Sequence, residues 1–209
     1  MERRKNAARH EGEEPSAGPK EGPLPEIEFE AGSPRVITVT GVINGQDVEK
    51  VADRLAGLNM ESSEPIIVQF CSSGGHLQSG WALHDLFSTN AVPVITVGFG
   101  YVGSAATVAF QGGVARFLAP HAKLMIHLVG FSSEDGISFD LKDMRKQMKE
   151  MTELQDDIEK MLARRTGKPL KTIKAWCEEE TEFSAREAVK NGFADRVLHA
   201  RRPGKVRGK

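Results

Sequence analysis

The sequence predicts an α/β protein in which helices cover both faces of a largely parallel sheet. Three observations support this fold class. Short apolar, β-branched segments alternate along the chain with segments of helical periodicity. The strand segments are nearly continuous in apolar character, as expected of strands buried on both faces. Turns rich in serine or glycine follow two of them, at the sheet edge where α/β proteins assemble their sites.

The first two strands and helices are predicted between residues 36 and 87. Residues 36–40 are β-branched throughout, which favours a strand, and apolar residues then recur at helical spacing over 48–58. The apolar segment 65–70 predicts a second, buried strand. A turn at 72–75 and a helix from Leu77 to Phe87 follow it.

The third strand is predicted at 94–97, where it leads into a glycine-rich turn at 98–103 and a short helix that begins at Ser104. The short apolar runs 117–118 and 124–126 predict two further strands. Together these segments place His127 at the carboxyl end of a strand.

A long helix is predicted from Phe139 to Arg165, and Gly167 to Pro169 end it. Its apolar side chains recur at three- and four-residue steps and form one narrow stripe. Such a stripe suits packing against a helix of another chain or against the protein's own sheet, and the pattern leaves both open. The stripe consists of Leu141, Met144, Met148, Met151, Leu154, Ile158 and Met161.

The two ends of the chain differ in composition from the part between them. Residues 1–34 hold five of the ten prolines and eight acidic residues, so we expect a largely disordered segment. Five basic residues and no acidic one lie in 201–209, which predicts a basic tail over 200–209. Residues 35–199 are therefore expected to form a single domain.

Composition excludes several classes of protein. The formal net charge of −1 argues against an electrostatic nucleic-acid binder, and no apolar run is long enough to span a membrane. Two cysteines without metal-ligand spacing predict neither a disulfide scaffold nor a metal site, and no cofactor is implied. We expect a cytoplasmic protein.

The glycine-rich segment 98–103 matches GxGxxG, the pattern of a dinucleotide-binding turn. That pattern also needs an acidic residue about 20 positions on to bind the ribose. Lys123 occupies this place, and no acidic residue occurs between Asp85 and Glu134. The nucleotide interpretation is therefore disfavoured.

A second interpretation concerns Ser104, which begins a helix among the small residues Gly103, Ala105 and Ala106. The commoner role of such a serine is to cap the helix. A serine nucleophile would need a base close to its hydroxyl and a group that orients that base. His127 is the best placed of the six histidines, because it ends a predicted parallel strand.

Four segments in order resemble the proteolytic subunit of the Clp protease, the ClpP family of serine peptidases. They are FCSSGG at 70–75, GSAA at 103–106, PHAKLMIH at 120–127, and FSAREA at 183–188 leading to GFAD at 192–195. The resemblance covers residues 35–198. The spacing of Ser104 and His127 is that of the shorter, phage-type members.

The resemblance implies a spiral of ββα units with a protruding handle helix. It also implies Ser104 as nucleophile, His127 as general base, and the amides of Gly75 and Ala105 as oxyanion hole. The acid of the triad falls on Glu180, with Glu179 and Asp195 as alternatives. The reaction implied is hydrolysis of peptides or unfolded proteins inside a homo-oligomeric chamber of heptameric rings.

Departures from the family pattern leave part of this function open. Leu128 and Val129 replace the usual Gln-Pro after the histidine, and about four extra residues lie in 130–138. A Clp-type ATPase partner is implied, yet residues 1–34 show no helix or axial loop of the kind that the family places beside its ATPase. Three alternatives remain. They are a catalytically silent paralogue that serves as an assembly subunit, a peptidase with a Ser-Lys dyad, and an acyl-CoA hydratase-like enzyme on the related spiral fold.

Overall fold

A computed structural model describes residues 35–130 and 140–198. The expected disordered segment 1–34, most of the extra loop and the expected tail 200–209 lie outside this range. Within it, strands and helices alternate as predicted. The strands are β1 (Val36–Ile43), β2 (Ile66–Gly75), β3 (Val94–Gly103), β4 (Ala115–Leu118), β5 (Lys123–Ile126), β6 (Thr181–Ser184) and β7 (Arg196–Val197). The helices are α1 (Gly45–Glu61), α2 (Leu77–Ser88), α3 (Ala105–Phe110), α4 (Leu141–Thr166), α5 (Leu170–Glu178) and α6 (Ala185–Lys190).

The sheet is mostly parallel, which confirms the α/β class. Strands β1, β2, β3, β4 and β7 lie side by side in this order and pair in parallel. Strand β3 is long enough to pair twice, with β4 through its first half and with β5 through residues 101–103. Strand β6 then adds to β5 in antiparallel orientation, so the sheet branches beyond the middle of β3.

The glycine-rich segment 98–103 is part of strand β3, and the predicted turn is wrong. The register against β2 shifts between Phe70 and Ser72, opposite Gly98 and Val102, which leaves a bulge around Gly100 at φ 57°. A Cβ on Gly98 would lie 2.5 Å from Leu118 Cδ2. These glycines serve close packing inside the sheet, and segment 98–103 does not form a loop that could cradle a phosphate.

Helix α4 begins two residues later and ends one residue later than predicted. Asp140 caps it by accepting hydrogen bonds from two amides of the first turn, and Gly167 ends it at φ 70°. The apolar stripe divides along its length. Ile158 and Met161 are buried in the core, whereas Met148 is 64% exposed and Leu141 and Met144 are also exposed. The first half of the stripe is thus left uncovered by residues 35–130 and 140–198.

The core lies between the sheet and the helices, and the cation Arg116 is fully buried in it. Arg116 of β4 is 1% exposed, and its guanidinium donates to both carboxylate oxygens of Asp195 at 3.2 and 2.7 Å. The backbone amide of Arg116 also donates to Asp195, and the backbone amide of Asp195 donates to the carbonyl of Arg116. The pair joins β4 to the chain entering β7, at the far end of the domain sequence.

None of the described helices combines the length and apolar character that a membrane crossing requires.

Candidate active site

Ser104 lies at the sharp turn between β3 and α3. Its backbone adopts φ 54° and ψ −125°, a conformation that L residues rarely adopt and that costs about 1–3 kcal/mol. The side chain makes no capping hydrogen bond to the helix, so the common capping role of such a serine does not apply. The hydroxyl projects instead from the carboxyl edge of the sheet.

Hydrogen bonds to the end of strand β5 hold the turn at Ser104 in place. The Met125 carbonyl accepts a hydrogen bond from the Ser104 amide at 3.1 Å and another from the Thr107 hydroxyl at 2.8 Å. The Thr107 hydroxyl also lies 3.0 Å from the Val102 carbonyl, which attaches α3 to both strands. Since Met125 precedes His127 by two residues, the same contacts that hold the serine turn also hold the chain that carries the histidine.

His127 follows the last residue of β5, as predicted, and the structure brings it to Ser104. Its Nε2 lies 2.7 Å from the Ser104 Oγ, within hydrogen-bond distance. For Nε2 to accept the serine proton, the imidazole must carry its own proton on Nδ1. That nitrogen faces Glu180.

Glu180 reaches the histidine through the pairing of β5 with β6. Antiparallel pairing sets Ile126 opposite Thr181, so the residues flanking this pair, His127 and Glu180, are neighbours. Glu180 Oε1 lies 3.9 Å from His127 Nδ1, a distance too long for a hydrogen bond. The Glu180 side chain is 76% exposed. The Glu180 carboxylate is therefore near the imidazole but is not held to it by a direct hydrogen bond.

Backbone strain singles out the same residues. Of all non-glycine residues in the described part of the chain, Ser104 and Glu180 alone have positive φ. Glu180, at φ 49°, follows the end of helix α5, and its amide donates to the Cys177 carbonyl. A strained backbone costs free energy and persists only where the surrounding structure holds it in place. Such residues cluster at functional sites. Two of them beside one imidazole point to a site.

The two alternative acids occupy other places. Asp195 is bound by Arg116, as described above, and its carboxylate is occupied by that ion pair. Glu179 ends helix α5, and the described contacts of His127 Nδ1 involve Glu180.

Gly75 and Ala105, the residues expected to supply oxyanion amides, both line the cavity beside Ser104. The two segments meet closely because Gly74 lacks a side chain. A Cβ on Gly74 would lie 2.7 Å from the Ser104 Cβ and 3.0 Å from the Ala105 nitrogen. Ala105 is the first residue of α3, whose amide has no partner within the helix. Helix geometry thus directs a donor and a partial positive charge toward the serine.

Ser72 shapes the oxyanion segment from within the structure. Its hydroxyl donates to the Gly41 carbonyl at 2.6 Å and accepts from the Gly74 amide at 3.1 Å. The sequence indicated turn chemistry for Ser72, and the buried hydroxyl does hold Gly74 in place. The segment belongs to the end of strand β2, however, and does not lie beyond it.

A cavity of about 650 Å³ opens beside Ser104 and His127. Its wall is largely apolar and comes in part from one face of α4, at Met151, Leu154, Ile158 and Leu162. Cys177 also lines it, and burial raises the pKa of the Cys177 thiol to about 11. At neutral pH this group is therefore a thiol and does not compete as a nucleophile.

A surface cluster holds strand β6 beside the acid. Glu182 accepts from Lys123 Nζ at 2.7 Å and from the Tyr101 hydroxyl at 2.9 Å. The hydrogen bond from Lys123 lowers the pKa of Glu182, while burial and the Glu182 carboxylate raise the pKa of Tyr101 to about 12. The cluster fixes a residue two positions from Glu180. Across residues 35–130 and 140–198, no three His, Cys, Asp or Glu side chains are grouped closely enough to bind a metal ion.

Sequence reasoning missed Thr107 and Gly74. Thr107 lies in an apolar segment and belongs to no recognisable motif. The serine and glycine residues of 72–75 do not by themselves show which glycine contacts the nucleophile. Both positions depend on contacts between strands that are distant in the sequence.

Comparisons with known proteins identify the family of the chain. Residues 29–201 match the family model described as Clp protease. The chain is 26% identical to the ATP-dependent Clp protease proteolytic subunit 2 of Gluconobacter oxydans, over 85% of this chain and 80% of that protein. It is 32% identical to the ATP-dependent Clp protease proteolytic subunit 2 of Streptomyces avermitilis, over 69% and 73%.

Among solved structures, a ClpP1 mutant from Listeria monocytogenes superposes with a TM-score of 0.72 at 25% identity. The match covers 80% of this chain and 93% of that chain. The likeness therefore extends over nearly the whole of the described fold.

Proposed function

Because this chain belongs to the Clp protease family, we propose that it hydrolyses peptide bonds with Ser104 as nucleophile and His127 as general base. The single observation that carries the proposal is the contact of 2.7 Å between Ser104 Oγ and His127 Nε2 at the rim of an apolar cavity. A serine at the start of a helix would otherwise bond to the helix amides. Here its hydroxyl faces the imidazole.

In the proposed first step, Ser104 Oγ attacks the peptide carbonyl carbon while its proton passes to His127 Nε2. The carbonyl oxygen becomes an oxyanion and is stabilised by the amides of Gly75 and Ala105. The tetrahedral intermediate then collapses, and His127 gives the proton to the leaving amine. The product of this step is an acyl group on Ser104.

In the second step, water attacks the acyl-enzyme. His127 Nε2 takes a proton from the water, the oxyanion forms again in the same place, and Ser104 Oγ leaves with the proton returned. Glu180 assists both steps by favouring the tautomer that carries the proton on Nδ1 and by stabilising the imidazolium.

The cavity and helix α4 support proposals for the substrate and for the assembly. An apolar cavity beside the nucleophile suits an apolar side chain of a peptide or unfolded protein. The exposed residues Leu141, Met144 and Met148 suit contact with a second copy of the chain, and we propose a homo-oligomeric chamber. Relatives are named ATP-dependent Clp protease proteolytic subunits, so the proposed partner is a Clp-type ATPase and the proposed location is the cytoplasm.

Labelling with a fluorophosphonate probe, resolved by native mass, tests the proposal. We expect the probe to attach to Ser104 in the assembled wild-type protein and to no residue of the Ser104→Ala variant. Ser88→Ala, which changes an exposed helical serine, is the matched control and should label like the wild type.

Labelling, together with an assay of acyl-CoA turnover, separates the alternative functions. An assembled wild-type protein that does not label is a catalytically silent subunit. Acyl-CoA turnover that Ser104→Ala leaves unchanged would indicate a hydratase-like enzyme in which the serine takes no part.

The exposure of Glu180 predicts a limited role for this acid. Glu180→Gln should lower kcat for a peptide substrate by about 10- to 100-fold, less than the ~10⁴-fold loss known for a buried triad acid, because solvent already weakens a contact of 3.9 Å. Glu179→Gln is the control and should leave kcat within about twofold. A larger loss in the control would transfer the role of the acid to Glu179.

A further inference from the structure

A partly buried chain of hydrogen bonds connects the segment after His127 to helix α4. The Val129 amide donates to Gln155 Oε1 at 2.8 Å, and Gln155 Nε2 donates to Glu159 Oε1 at 2.7 Å. Val129 lies two residues beyond the proposed base. Strand β5 ends at Ile126, so residues 127–130 have left the regular part of the sheet when they reach α4.

Glu159 determines how the Gln155 side chain is oriented. Glu159 is 3% exposed, and its carboxylate oxygens accept hydrogen bonds. The Gln155 amide group must therefore turn its NH₂ toward Glu159, which leaves its carbonyl oxygen facing Val129. A buried carboxylate that lost this donor would be left poorly solvated, which costs free energy. This cost stabilises the orientation in which the Gln155 NH₂ faces Glu159.

The network also reaches the acid's side of the site. Lys174 Nζ lies 3.3 Å from Glu159 Oε2 and 3.0 Å from Asp156 Oδ1. Lys174 belongs to helix α5, which ends at Glu178 and leads into Glu180. The hydrogen bond from Lys174 lowers the pKa of Asp156, and the hydrogen bonds to Asp156 and Glu159 raise the pKa of Lys174, so both groups carry charge at neutral pH. One set of contacts thus links α4 to the segments of both the base and the acid.

We propose that Gln155 is a positioning residue that holds the His127 segment against α4 and so keeps the imidazole aligned with Ser104. This inference rests on the proposed peptidase function and extends it to a residue that does not touch the substrate's reacting atoms. A base displaced by about 1 Å can reduce the rate about 100-fold, so one backbone hydrogen bond near the base can matter.

The first test is Gln155→Leu, which keeps the shape of the side chain and removes both hydrogen bonds. We expect the rate of fluorophosphonate labelling and the kcat for a short peptide to fall about tenfold. KM should stay within about twofold, and the native mass should be unchanged. Glu153→Gln, an exposed change on the same helix, is the control and should match the wild type.

The second test exchanges donor and acceptor. In Gln155→Glu alone, two carboxylates face each other, and the labelling rate should again fall about tenfold. In the double variant Gln155→Glu with Glu159→Gln, the new carboxylate can accept from both Val129 and the new amide at 159, and the total charge is that of the wild type. We expect its labelling rate to recover to within about threefold of the wild type. A purely volumetric role for Gln155 predicts no such recovery.

The results separate the two proposals. Wild-type protein that does not label overturns the peptidase function itself. Wild-type protein that labels while Gln155→Leu labels equally fast overturns the positioning role alone. If Gln155→Leu does not fold, the comparison of Gln155→Glu with the double variant decides, and a double variant as slow as the single one overturns the inference.

Discussion

Replacing His127 with alanine is expected to lower kcat for peptide hydrolysis by at least about 10⁴-fold. The loss corresponds to removal of the only group found within hydrogen-bond distance of Ser104 Oγ among the described side-chain contacts. Losing the serine or the histidine of a triad costs about as much as losing all three members, because the nucleophile and its base act together. The measurement is steady-state turnover of a fluorogenic peptide by the assembled protein.

His121→Ala is the matched control, because this histidine lies in the turn before β5 and lines no part of the cavity. It should retain activity within about twofold. Full activity in His127→Ala would contradict the proposed base and favour a Ser-Lys dyad. Equal losses in both variants would indicate a general effect on folding, which the melting temperature would reveal.

Replacing Asp195 with alanine is expected to destabilise the fold by about 3–5 kcal/mol. The physical reason is that Arg116, 1% exposed, would keep its charge in the core without the carboxylate that neutralises it. For a domain of this size, such a loss should lower the melting temperature by about 10 °C or more. Differential scanning calorimetry of the variant against the wild type measures it.

The control for Asp195 is Asp157→Ala, which changes an exposed aspartate on α4 and should leave the melting temperature within a few degrees. This pair of variants also tests the alternative that Asp195 is the catalytic acid. A normal melting temperature combined with a large loss of kcat would support that alternative and contradict the structural role of the ion pair.

Much of the fold was predictable because local pattern and burial agree. The segments 36–40, 65–70 and 94–97 are rich in apolar and β-branched residues, and all of their residues except Pro65 lie in strands of the parallel sheet. The prediction failed at 98–103, where glycine suggested a turn. Glycine is permissive in any conformation, so the pattern could not distinguish a loop from a bulged strand that packs against Leu118.

Helix α4 shows what the spacing of apolar residues can predict and what it cannot. The spacing of apolar residues predicted a helix and one apolar face, and both are present. The pattern could not say what covers that face, because periodicity carries no information about neighbours. In the structure, the half with Ile158 and Met161 packs into the core, and the half with Leu141 to Met148 stays exposed.

By itself, the sequence predicted strands β1 to β5, helices α1 to α4, the family and the candidate roles of Ser104 and His127, because each depends on local residue types and their order. The tertiary structure alone decided three further matters. It places Glu180 near His127 through the pairing of β5 with β6. It pairs Asp195 with Arg116, and it places Gln155 between Val129 and Glu159. All three are contacts between segments far apart in the chain, and their geometry is fixed by strand register and by the burial of charge, which no local pattern records.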